Sequence, residues 1–170
     1  MLTANSWCFF TILAFGWFQM RSSSPVCFGS RDDTPGVFTI PFTGDVITFK
    51  LVHLFGYVNC GSTEATRSFW GCTHPNVPAS HQMGTYITDP QKNRLLPKQE
   101  YVHEGWYCGQ YWLPGQKPNS SELLFDNFTN PLPVSAEQQF MVWFNEALYD
   151  CGDSDNTFEK ACTDVYALYV

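Results

Sequence analysis

Apolar and polar side chains alternate along residues 46–54: Ile47, Phe49 and Leu51 fall on one side, Thr48 and Lys50 on the other. A period of two with β-branched residues is the pattern of a half-buried strand. Gly44 and Asp45 open this segment, and a kink at Gly56 leads towards a continuation at Tyr57 and Val58. Residues 164–170 repeat the alternation, with Val165, Ala167 and Tyr169 set against Tyr166, Leu168 and Val170. Shorter strands are predicted over 37–40, ended by Pro41, over 83–88 and over 122–125. The run Asp89-Pro90-Gln91-Lys92-Asn93 has the chemistry of a hairpin turn, with a return strand starting at Arg94. Residues 140–144 (FMVWF) are apolar throughout. Good helix formers around them suit a helix over 137–148, but the valine and aromatic content favours a strand buried on both faces.

No convincing amphipathic helix interrupts these short strands, and turn signals recur between them. The expectation is an all-β fold, a single disulfide-stapled antiparallel β-sandwich of jelly-roll-like form occupying residues 30–170. A chain of 170 residues suits one domain. Charged residues are only 15% and aromatics 17%, the reverse of a disordered composition. Nine Lys and Arg against sixteen Asp and Glu give a net charge of −7, too few cations to displace the counterions of a nucleic acid.

Ahead of the domain, residues 7–20 (WCFFTILAFGWFQM) form an uncharged apolar run. It is shorter than the ~20 residues needed to cross a bilayer, so no membrane span is expected, and it fits the apolar core of a signal peptide. Residues 1–29 are accordingly predicted as signal peptide and leader, with a boundary between 20 and 30. Cys8 would leave with it. Six cysteines remain as disulfide candidates: Cys27, Cys60, Cys72, Cys108, Cys151 and Cys162. Cleavage after Gly29 would remove Cys27 as well. An even set in an exported chain reads as a disulfide framework, and the absence of a Cys-x-x-Cys pair argues against zinc. Proximity in sequence suggests Cys60–Cys72 and Cys151–Cys162. Asn119-Ser120-Ser121 and Asn127-Phe128-Thr129 match the N-glycosylation signal. Leader, cysteines and glycosylation signals together predict a secreted, extracellular glycoprotein.

Two clusters carry candidate chemistry. Asp150, Asp153, Asp155, Asn156 and Glu159 crowd one loop and offer the oxygen ligands that calcium takes, although the loop lacks the EF-hand spacing. The plainer alternative is a solvated loop closed by Cys151 and Cys162. Trp70, Trp106, Tyr107, Tyr111 and Trp112 lie in loop-like or glycine-broken segments, where they would stack on a sugar or anchor a partner; otherwise they build the core. His53, His74, His81 and His103 form no catalytic constellation, and neither a G-x-S-x-G elbow nor a phosphate loop occurs. The expected function is binding without catalysis, to a glycan, a matrix component or a cell-surface protein. The alternatives are an acidic calcium-associated structural or skeletal-matrix protein and a small secreted hydrolase.

Four spans carry a family likeness: residues 49–60 (FKLVHLFGYVNC), 69–72 (FWGC), 87–97 (ITDPQKNRLLP) and 139–169, which begins QFMVWFNEALYDCGDSDN. They resemble a secreted domain of coral and sea-anemone skeletal-matrix and cell-surface proteins. The resemblance implies a secreted β domain and supplies no active site to carry over. Thr157 and Phe158 stand where similar sequences run on through glycine, which speaks against a tight metal turn.

Overall fold

The structure, a computed structural model, describes residues 16–22, 25–61, 64–72, 78, 82–103, 107–151 and 158–170. Its strands are β1 (Gly16–Gln19), β2 (Val26–Gly29), β3 (Gly36–Thr39), β4 (Gly44–Gly56), β5 (Thr85–Thr88), β6 (Arg94–Leu96), β7 (Glu122–Leu124), β8 (Leu132–Val134), β9 (Gln139–Phe144) and β10 (Lys160–Tyr169). One short helix, α1 (Asn145–Tyr149), follows β9 directly. A six-stranded sheet has the order β1-β10-β4-β7, with β2 also on β10 and β8 also on β4. A four-stranded sheet has the order β3-β9-β5-β6. The strand pairings are antiparallel. The chain is thus a disulfide-bonded sandwich of two antiparallel sheets. Among the described residues no helix is long and apolar enough to cross a membrane.

The alternation read from the sequence explains why these segments become strands. Register partners Phe49 and Ala167, and Leu51 and Val165, turn inward from the larger sheet. Phe38 and Phe140, partners on β3 and β9, turn inward from the smaller one. Phe49 meets them with ring centroids at 5.5 and 5.8 Å, closing the gap between the sheets. Each such ring stabilises the fold by ~1.5–3 kcal/mol through burial, and the tilted and edge-to-face geometries add to it. On β9, Val142, Trp143 and Phe144 are all buried, as a strand covered on both faces requires. The helix-forming residues of the competing reading begin only at Asn145, and Asp150 ends them in the left-handed region at φ 51°.

Ahead of β5, irregular chain is tied together by isolated bridges. Met83 bridges Gly71 on one side and Tyr111 on the other. A Cβ at Gly71 would lie 1.7 Å from the Gln82 carbonyl oxygen, so only glycine permits this approach. Trp70 and Tyr111 are fully buried.

One sequence expectation is corrected here, the pairing of Cys151 with Cys162. Residues 16–19 and 26–29, expected ahead of the domain, join the larger sheet: β1 pairs with the end of β10 and β2 with its beginning. Residues 1–15 lie outside the described residues. The disulfides are Cys27–Cys162, Cys60–Cys72 and Cys108–Cys151. Cys60–Cys72 agrees with the expectation, whereas Cys151–Cys162 is overturned. Cys162 lies within β10 opposite Cys27, so strand register outweighs proximity along the chain.

Candidate functional site

Three loops converge on an open cavity of about 440 Å³ lined by Asp32, Asp33, Lys92, Ala147, Leu148 and Asp150. The first loop joins β2 to β3. Gly29 N–H donates to the Thr34 carbonyl at 3.0 Å and Thr34 N–H to the Asp32 carbonyl at 2.9 Å. Asp32 takes a left-handed backbone at φ 55°. Ser30, fully buried, donates its hydroxyl to Asn59 Oδ1 at 2.8 Å and anchors the base of this loop. The tight turn leaves both aspartates exposed.

The second loop is the expected β5–β6 turn. Asp89 Oδ1 accepts the N–H groups of Gln91 and Asn93, each at 2.9 Å, an Asx-type arrangement. Lys92 occupies its left-handed position at φ 64°. Its ammonium lies 4.5 Å from the centre of the Trp143 ring and 2.7 Å from Asp33 Oδ1. The cation is thus held by an aromatic face on one side and a carboxylate on the other.

The third wall is α1 and its cap. Ala147 and Leu148 supply an apolar floor, and Asp150 stands exposed at the rim. The aromatic segment supports α1 from behind. Cys108 is bonded to Cys151, and Asn145 Nδ2 donates to the Cys108 carbonyl at 3.1 Å. The Tyr86 hydroxyl donates to the Gly109 carbonyl, and its ring meets Tyr149 at 5.6 Å. Burial pushes the Tyr86 phenol well above its ordinary range, and that of Tyr111 likewise.

The sequence-derived candidates are dispersed. Trp70 and Tyr111 belong to the core: the Trp70 indole N–H donates to the Ser120 carbonyl at 2.7 Å, and the Tyr111 hydroxyl donates to the Thr85 carbonyl. Neither presents a face to a ligand. Trp112 is 39% exposed, edge-on to Tyr101 at 5.5 Å. Trp106 lies outside the described residues, and Tyr107 is described only as part of a single 3-10 turn.

Of the acidic loop, Asp150 reaches the cavity, while Asp153, Asp155 and Asn156 lie outside the described residues. Glu159 faces elsewhere. It pairs with Arg67 at 2.7 Å and accepts the Tyr57 hydroxyl at 2.5 Å, with the Arg67 guanidinium 4.3 Å from the Tyr57 ring centre. These contacts pin the chain entering β10. His53 is stacked on Phe69 at 3.7 Å and hydrogen-bonded to the Gly56 carbonyl, a satisfied half-buried histidine. Among the described residues, one group of metal-ligand types converges, Cys60, Cys72 and Glu146. Its two sulfurs are bonded to each other.

The sequence reading missed Asp32, Asp33 and Lys92. Each sits in a turn, where Asp and Lys are ordinary, and only the fold brings the turns together.

No protein-family model and no curated protein matches the chain. Among solved structures it is similar to AJLec from the sea anemone Anthopleura japonica, with a TM-score of 0.78 and 30% identity over 92% of this chain and 98% of that one.

Proposed function

We propose that this chain, which belongs to the same family as the sea-anemone protein AJLec, is a lectin-like extracellular binding module. The identity, extending over nearly the full length of both chains, is the observation that carries this reading, and the neighbour's name points to carbohydrate recognition. Three disulfides support an oxidising compartment.

The cavity between the three loops is the proposed glycan site. Asp32, Asp33 and Asp150 supply carboxylate oxygens that accept hydroxyl protons in short, charge-assisted bonds. Lys92 donates, and Ala147 with Leu148 takes the apolar C–H face of a sugar ring. The lining is mainly polar, four charged side chains with a small apolar contribution from Ala147 and Leu148, which suits a ligand rich in hydroxyl groups. Nothing in this constellation requires a reaction; it holds and orients.

A glycan array probed with the secreted protein, followed by calorimetry on the best sugar, tests the proposal. Asp33→Asn and Asp150→Asn are expected to weaken binding about tenfold each, ~1.4 kcal/mol. Trp112→Ala is expected to bind as the parent. The reverse pattern moves the site to the aromatic segment, and an array without any retained glycan overturns the proposal.

A further inference from the structure

The larger sheet ends at β7, and an N-glycosylation signal stands at each end of that strand. The chain from Ser121 to Phe128 runs antiparallel along β4. His53 N–H donates to the Ser121 carbonyl, Phe125 N–H to the Phe49 carbonyl and Phe128 N–H to the Ile47 carbonyl, at 2.9, 3.2 and 2.8 Å. The six residue steps from Ile47 to His53 cover ~20 Å at ~3.3 Å per residue. The two signals therefore flank the whole edge.

Both signals are presented outward. Pro118 and Ser120 bracket Asn119 and are fixed to the core: Phe69 and Trp70 N–H groups both donate to the Pro118 carbonyl, and the Trp70 indole donates to the Ser120 carbonyl. Asn119 and Ser121 are exposed, as are Asn127 and Thr129. Ser120 Oγ is used by Lys117 N–H at 3.0 Å, but the hydroxyl that completes the signal belongs to Ser121. Between the signals, Leu124 is 41% exposed. Gln116 Oε1 accepts the outward Leu124 N–H at 3.4 Å and caps part of the edge; an edge with an exposed apolar residue still invites another strand unless more blunts it.

We infer that Asn119 and Asn127 both carry N-linked glycans and that the pair shields the β7 edge from other chains. In each transfer the asparagine amide nitrogen attacks C1 of a polyprenyl-diphosphate-linked oligosaccharide. An N–C1 bond forms, the C1–O bond to the lipid breaks, the amide gives up one proton, and the lipid diphosphate leaves. The proposal stands apart from the glycan-binding cavity, which the loops around α1 and the smaller sheet build.

The full chain, secreted from a eukaryotic host, is weighed intact before and after N-glycosidase treatment. Two glycan increments are expected. Asn119→Gln or Ser121→Ala removes one, and Asn127→Gln or Thr129→Ala removes the other. The hydroxyl variants alter exposed side chains and keep both asparagines. Fewer than two occupied sites overturns the inference. The Ser121→Ala/Thr129→Ala double variant is then examined by size exclusion with light scattering. A mass that rises with concentration, while the glycosylated chain keeps a constant mass, supports shielding. A constant mass in both overturns it.

Discussion

Cys27 and Cys162 are register partners on β2 and β10, joined across the two strands by a disulfide. The bond ties a short N-terminal strand to the strand at the centre of the larger sheet, across a sequence separation of 135. Closing so long a loop restricts the unfolded chain strongly. Replacing both cysteines by serine is expected to cost about 4 kcal/mol, a fall of roughly 10 °C in Tm for a chain of this size. Calorimetry checks it. A peptide map of the secreted chain is expected to contain the Cys27–Cys162 pair, so that any leader is cleaved before Cys27; a mature chain starting after Gly29 would refute this.

Trp70 does two jobs at once: its buried ring stands edge-on to His53 of β4 at 6.0 Å, and its N–H holds the Ser120 carbonyl at 2.7 Å. Trp70→Phe keeps an aromatic ring but leaves that carbonyl without its donor and opens a small void. The expected loss is about 2 kcal/mol, read from denaturant unfolding. Faster amide exchange at residues 117–120 would show that the hydrogen bond is the part that matters for the turn. Unchanged exchange with the same loss of stability would assign the effect to packing alone.

The alternation that marks β4 and β10 was legible because it depends on neighbours two residues apart and on nothing else. The apolar run at 140–144 was legible as strand for a related reason: valine and aromatics fit a pleated surface covered on both sides. What escaped depends on contacts between distant segments. The disulfide partner of Cys162 is set by the register of β2 on β10. Trp70 and Trp112 have one side-chain type and opposite fates, buried and exposed. Asp33 and Lys92 come from separate turns and meet only because β3 and β5 flank β9.

Four tyrosines give the fold a defined alkaline limit. The Glu159 carboxylate accepts the Tyr57 hydroxyl and holds its proton, with burial acting in the same direction and Arg67 opposing. Burial first raises Tyr86, Tyr111 and Tyr169. In the unfolded chain these phenols titrate near 10. Below that pH both states keep the protons and the stabilisation is full. Above it the unfolded chain loses protons that the folded chain retains, so stability falls as pH rises towards the folded values. Denaturant midpoints measured from about pH 8 to about pH 11 are expected to decline only in the upper part of that range. Tyrosinate absorbance is expected to appear later than in the denatured chain, and Glu159→Gln to bring Tyr57 forward. A flat profile would contradict these shifts.

Asp32, Asp33 and Asp150 place three carboxylates in one cavity, and Lys92 is the single cation among the lining residues. Its charge is already engaged by Asp33 at 2.7 Å. Like charges gathered this way repel, and a hard cation with oxygen ligands would relieve the repulsion while leaving coordination positions for sugar hydroxyls. We expect the folded protein to have a higher Tm in calcium than in EDTA. At ~100 times Kd the gain would be ~2.7 kcal/mol, several degrees for a chain of this length. Asp32→Asn or Asp150→Asn is expected to abolish the shift if the ion sits in the cavity. Asp153→Asn and Asp155→Asn would abolish it instead if the ion sits in the acidic loop. A Tm that calcium leaves unmoved would return all of these carboxylates to solvent and to hydrogen bonding, and the lectin-like reading would then rest on direct contacts from Asp32, Asp33, Asp150 and Lys92.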